Sequence, residues 1–149
     1  MDKSEVIATA KDTFYKKRSE LERHIDDVQR SANQESKSSV GDKYETARAM
    51  AQNEVFMLQS QLAALRTELE TFENTNFEKG GQLHINSGSL VETTMGWFLL
   101  SSGLGKIMVN GKPAMCISMN SPLGKTLTGK NSGESYSING KEYQILNVW

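Results

Sequence analysis

The stretch YETARAMAQNEVFMLQSQLAALRTELETF, Tyr44 to Phe72, decides the architecture. Its apolar positions fall at Tyr44, Ala47, Ala51, Val55, Leu58, Leu62, Leu65, Leu69 and Phe72, in steps of three and four. That rhythm lays one stripe along a helix, the seam of a coiled coil, and predicts no second apolar face. Upstream, Ile7, Ala10, Phe14, Leu21, Ile25, Val28 and Ala32 repeat the rhythm, with Arg18 as a polar interruption. The segment between the two stripes, NQESKSSVG from Asn33 to Gly41, is polar and Ser-rich. Two long stripes joined by a short polar loop predict helices that fold back antiparallel and bury their stripes on each other. At about 1.5 Å per residue the second stripe makes a rod on the order of 40 Å long.

Past Asn74 to Gly81 (NTNFEKGG), which reads as a linker that lets the angle to the next domain vary, the pattern shortens to strand length. Leu83 to Ile85 and Ser89 to Glu92 flank Asn86-Ser87-Gly88, and Gly96 to Leu100 is a short apolar run. Asn110-Gly111 and Asn139-Gly140 are two-residue hairpin turns, joining Ile107–Val109 to Ala114–Ser118 and Tyr136–Ile138 to Tyr143–Val148. Between the hairpins, Ser121 or Asn120 can cap a short helix with Pro122 at its first position and Gly129 past its end. The expected fold class is α+β: a long N-terminal coiled-coil hairpin over residues 1–77, its acidic tip near 39–45, then a small antiparallel sheet domain with one short helix over 78–149.

Composition explains why the totals are bland. The 149 residues carry 17 Lys plus Arg and 18 Asp plus Glu, a formal charge of -1. Up to Phe77 there are 14 acids and 11 bases, and after it 4 acids and 6 bases, so an acidic helical part is averaged with a slightly basic one. Near-neutrality gives no global attraction to nucleic acid or anionic lipid, and independent DNA binding is not expected. One cysteine, Cys116, excludes a disulfide framework and a CxxC site. No apolar run has membrane-spanning length and the N-terminus is too charged for a signal peptide, so the expected location is the cytoplasm. His24 and His84 lack partners at metal-ligand spacing. Gly124-Lys125-Thr126 is not a phosphate loop, because Met119 stands where that loop needs its first Gly. Lys16, Lys17, Arg18 and Arg23 form a basic cluster that reads as a solvated face or a phosphate-facing patch.

Gly41-Asp42-Lys43-Tyr44-Glu45, at the entry to the second helix, is the sharper feature. Two carboxylates three apart share a helical face, and as hard oxygen ligands they suit Mg²⁺ that something else also holds. The same spacing is a capping box with Asp42 as cap and Glu45 reaching back, and Ser39-x-x-Asp42 is a competing box.

With a GDxxE tip on a long hairpin, ISMNSPLGKTLTG from Ile117 to Gly129, and GESYSINGKEYQILNV from Gly133 to Val148, the chain resembles the bacterial Gre transcript-cleavage factors along nearly its whole length. The resemblance implies an FKBP-like C-terminal domain that docks on RNA polymerase, with Asn120, Ser121 and Pro122 in the contacting segment. It implies that the tip enters the secondary channel, where Asp42 and Glu45 help hold the catalytic Mg²⁺ of the polymerase. The chain would then be no enzyme and have no cofactor of its own, meeting the nascent RNA 3′ end only within the polymerase complex. Past Glu45 the chain reads Thr46-Ala47-Arg48-Ala49 where the family has a further acid and an aromatic. That departure leaves open a channel-binding regulator that does not stimulate cleavage. An FKBP-like fold alone does not imply prolyl isomerase activity. A coiled-coil module for an unrelated partner is the remaining alternative.

Overall fold

The computed structural model describes residues 1–35 and 42–149, and only the backbone of Glu35, Asp42 and Tyr44. Helix α1 spans Lys3–Glu35 and α2 spans Asp42–Glu73. Asn33 to Glu35, expected in the loop, continue α1; polar residues extend a helix as long as their side chains face water. Six strands follow, β1 (Leu90–Thr93), β2 (Trp97–Ser101), β3 (Gly105–Val109), β4 (Lys112–Ser118), β5 (Ser135–Ile138) and β6 (Lys141–Val148), with α3 (Pro122–Leu127) between β4 and β5. The fold class is therefore α+β, long helices followed by a mostly antiparallel sheet with one short helix. The chain divides into two compact units, residues 14–67 and residues 1–13 with 68–149. Both long helices thus contribute residues to each unit.

In the 14–67 unit the legs run antiparallel: Glu22 meets Arg66 at 3.4 Å, and two residues further along α1, His24 meets Glu54 at 3.4 Å. These pairs are half exposed, so each is worth at most about 1 kcal/mol and packing carries the association. Leu58 and Leu62 are buried, and Leu21, Ile25, Val28, Ala32, Ala47, Ala51 and Val55 are each less exposed than the residues beside them. The stripes therefore face each other as their spacing predicts. Arg18, the polar interruption, is half-buried with its guanidinium 4.9 Å from the Tyr15 ring centroid. A second apolar face was not expected, yet Met50, Phe56 and Met57 are exposed on α2. Three-four stepping follows only the seam and does not register residues set seven apart on the outer side of the same helix.

In the other unit the sheet order is β3-β4-β2-β1-β6-β5. Both Asn-Gly turns form as expected, with φ of 50° and 78° at Asn110 and Gly111 and 52° and 79° at Asn139 and Gly140. The two positive φ values define the turn that matches strand twist. The sheet is not wholly antiparallel, because β2 pairs parallel with β4, Phe98 opposite Met115 and Leu100 opposite Ile117. Val91, Phe98, Leu100, Ile117, Leu127, Tyr136 and Ile145 form one core on the face that α3 covers. Each such fully buried apolar side chain contributes about 1.5–3 kcal/mol.

Leu83–Ile85 is not a strand: Leu83 and His84 are exposed, and Ile85 turns inward alone, exchanging backbone hydrogen bonds with Lys130 and Gly129. The Gly-rich linker is packed rather than free. Lys3 Nζ donates to the carbonyls of Phe77 (2.7 Å) and Gly80 (3.2 Å), and the Phe72 and Phe77 rings lie 5.1 Å apart. Gly80 is present because backbone abuts backbone: a Cβ there would fall 2.1 Å from the carbonyl carbon and oxygen of Gly88.

Cys116 lies in β4, buried, and burial pushes its thiol up to about 12. Only the thiolate is nucleophilic. The native protein at pH 8 is expected to resist an aromatic disulfide reagent for hours and to release one thiol equivalent at once in denaturant; rapid native reaction would contradict this burial.

Candidate functional site

Two groups of residues stood out in the sequence, and they belong to different units. In the hairpin unit, α2 begins at Asp42, so Asp42 and Glu45 occupy its first turn. Glu45 and Lys43 are exposed, while the side chain of Asp42 lies outside the described residues, as do Ser39 and the rest of the tip up to Gly41. Carboxylates in a first helical turn are favoured by the helix dipole by about 0.3–1 kcal/mol, which accounts for acids at these positions without any ligand. Arg48, one turn beyond Glu45, is also exposed. Among the described residues no three His, Cys, Asp or Glu side chains gather as a metal site. Two carboxylate positions are donors of the right hardness for Mg²⁺, but too few to hold it alone.

In the sheet unit, Asn120, Ser121 and Pro122 form the turn between β4 and α3. Ser121 caps α3: its Oγ accepts from Gly124 N at 3.0 Å and donates to the Ser118 carbonyl at 2.7 Å. Ser118 Oγ in turn accepts from Asn120 N at 3.1 Å. Pro122 takes the first helical position, where its missing N–H removes nothing. Gly124 is required by the same turn, since a Cβ would lie 2.1 Å from the Ser118 oxygen. The spacing Ser118-x-x-Ser121-Pro122-Leu123-Gly124 is thus first a turn-and-cap device. Asn120 and Pro122 are its exposed members. Ser121 is half-buried with its hydroxyl committed at both ends, so it supports the turn rather than offering a free hydroxyl. Ser121→Ala is expected to lower unfolding free energy by about 1–2 kcal/mol, read by urea denaturation; an unchanged midpoint would show the cap to be dispensable.

The basic cluster is mixed: Lys16 and Arg23 border a shallow recess with Tyr15, Ser19 and Glu20, so no uniform positive field results. His24 and His84 are both exposed and belong to different units. Sequence reasoning overlooked Met50, Phe56 and Met57; the seven-residue interval from Met50 to Met57 was the available signal.

No family model matches the chain, and no curated protein matches it in sequence. Among solved structures it is similar to "Structure of the transcription factor Gfh1", at 18% identity and a TM-score of 0.40, covering 94% of this chain and 93% of that one. At this distance the likeness places the chain in no family.

Proposed function

We propose that the protein is a transcription elongation factor that binds bacterial RNA polymerase, inserts its coiled-coil tip into the secondary channel and stimulates the polymerase's own cleavage of backtracked RNA. The observation that carries this reading is the placement of Asp42 and Glu45 in the first turn of α2, at the closed end of an antiparallel hairpin. A hairpin end is a means of delivering two carboxylates into a site that neither they nor a globular surface could reach. Asp42 and Glu45 would share an Mg²⁺ with the polymerase, and the ion would stabilise charge developing on the attacking oxygen. The chain itself makes and breaks no covalent bond. The exposed Asn120 and Pro122, on a turn stiffened by Ser118, Ser121 and Gly124, form the docking contact. Rigidity there reduces the entropy lost on binding.

The partner is tested by capture of core RNA polymerase with Asn120→Ala/Pro122→Ala, which is expected to weaken binding about tenfold. Equal capture by variant and wild type would reject this docking contact, and no capture by wild type would reject the polymerase reading.

Arg48 favours a second reading. Arg48 is exposed three positions from Glu45, within side-chain reach on a helix, where its guanidinium would compete with a cation for that carboxylate. A regulator that occupies the channel without stimulating cleavage would inhibit transcription and leave RNA length unchanged.

A further inference from the structure

In the 14–67 unit the seam narrows to Ala32, Ala47 and Ala51 toward the closed end. Side chains this small leave a groove of about 770 Å³ along one flank. Val28 of α1 and Met50 and Met57 of α2 give it an apolar floor, and His24, Asp27 and Glu54 stand around it. Met50 and Met57 are 67% and 62% exposed, so neither serves the hairpin's own core. Seven residues apart, they stand on one side of α2 about 10 Å from each other. Unbranched, polarizable methionines adapt to varied apolar surfaces, and an exposed apolar cluster with a polar rim marks a binding surface. No Lys or Arg is found among the described lining residues, and His24 approaches Glu54 at 3.4 Å.

We propose that this groove docks an amphipathic helix of another protein, one that lays apolar side chains across Met50 and Met57 and directs Lys or Arg toward Asp27 and Glu54. Helix-in-groove docking uses anchors at this spacing, and complementary charge sets the choice of partner. A second copy of this chain fits poorly. A two-fold pairing of Met50 on Met57 would centre between Asn53 and Glu54 and bring the two Glu54 carboxylates together across the axis, and like charges there repel. The inference stands independently of polymerase binding.

Two labelled helical peptides test it, one with Leu along one face flanked by Lys, the other identical but flanked by Glu. Fluorescence anisotropy with the full chain is expected to show the Lys-flanked peptide binding about tenfold or more tightly than the Glu-flanked one. Met50→Gln/Met57→Gln, which leaves the seam untouched, should weaken that binding about tenfold. Asp27→Asn/Glu54→Gln should abolish the preference between the peptides, with circular dichroism confirming unchanged helix content in both variants. Equal affinity for the two peptides, or full affinity in the methionine variant, would overturn the proposal. So would a dimer in sedimentation that the methionine variant dissolves, since the occupant would then be a second copy.

Discussion

Asp42→Ala/Glu45→Ala is expected to lower stimulated cleavage in stalled elongation complexes by about 10²-fold or more, to the unassisted rate of the polymerase. Removing a group that stabilises transition-state charge costs that much in other enzymes, about 2.7–4 kcal/mol of barrier. The effect should be confined to the chemistry. Carboxylates in the first turn of α2 support folding through the helix dipole by about 0.3–1 kcal/mol each, so the double variant should lose about 1–2 kcal/mol of stability and bind polymerase within about twofold of wild type. Each single substitution should lose most of the activity, because a cation shared with another protein is held weakly by one remaining carboxylate. RNA shortened equally by wild type and double variant would end the cleavage reading. Channel occupancy would survive that result if both inhibit elongation while RNA length stays constant. Arg48→Ala supplies the complementary measurement: if the guanidinium competes for Glu45, its removal raises cleavage.

Gly124→Ala is expected to destabilise the sheet unit by about 3 kcal/mol, with a melting temperature lower by about 6–12 °C. The added Cβ would meet the Ser118 oxygen at 2.1 Å, Ser121 Oγ at 2.9 Å and Met119 carbon at 3.1 Å. Retreat is blocked because the Ser118 carbonyl already accepts from Ser121 N at 3.1 Å and from Ser121 Oγ at 2.7 Å. At the other end α3 is anchored by fully buried Leu127. The strain must therefore displace either the cap or the helix from the core. Lys125→Ala, one residue on and exposed, is the control and should change stability by less than about 0.5 kcal/mol. Equal melting of Gly124→Ala and wild type would show the turn to be pliable, and would remove the argument that Asn120 and Pro122 are presented rigidly.

Features that depend on neighbours in the sequence were legible. The three-four steps from Ala47 to Phe72 marked the seam, and Asn110-Gly111 and Asn139-Gly140 marked turns, because Asn and Gly are among the few residues that tolerate the positive φ those turns demand. Ser121-Pro122 marked the start of α3 for an equally local reason, a hydroxyl able to reach Gly124 N. The candidate acids Asp42 and Glu45 were likewise found by their spacing, which on a helix is a local relation. Leu83–Ile85 misled, since two apolar residues flanking a histidine satisfy strand alternation while Leu83 stays in water.

By itself, then, the sequence determined most of the elements and the turns between them, and it set the spacing of the candidate acids, because helix periodicity, turn dihedrals and caps are settled within a few residues. Only the tertiary structure decided which strands pair. The parallel match of β2 to β4 and the pairing of β1 with β6, Val91 opposite Val148, join segments far apart in the chain, where many partners offer equal apolar area and packing makes the choice. It also decided that Gly80 is a close contact rather than a hinge, that Ser121 is a strut, and that Met50 and Met57 face solvent, since burial depends on what another part of the chain brings to a side chain.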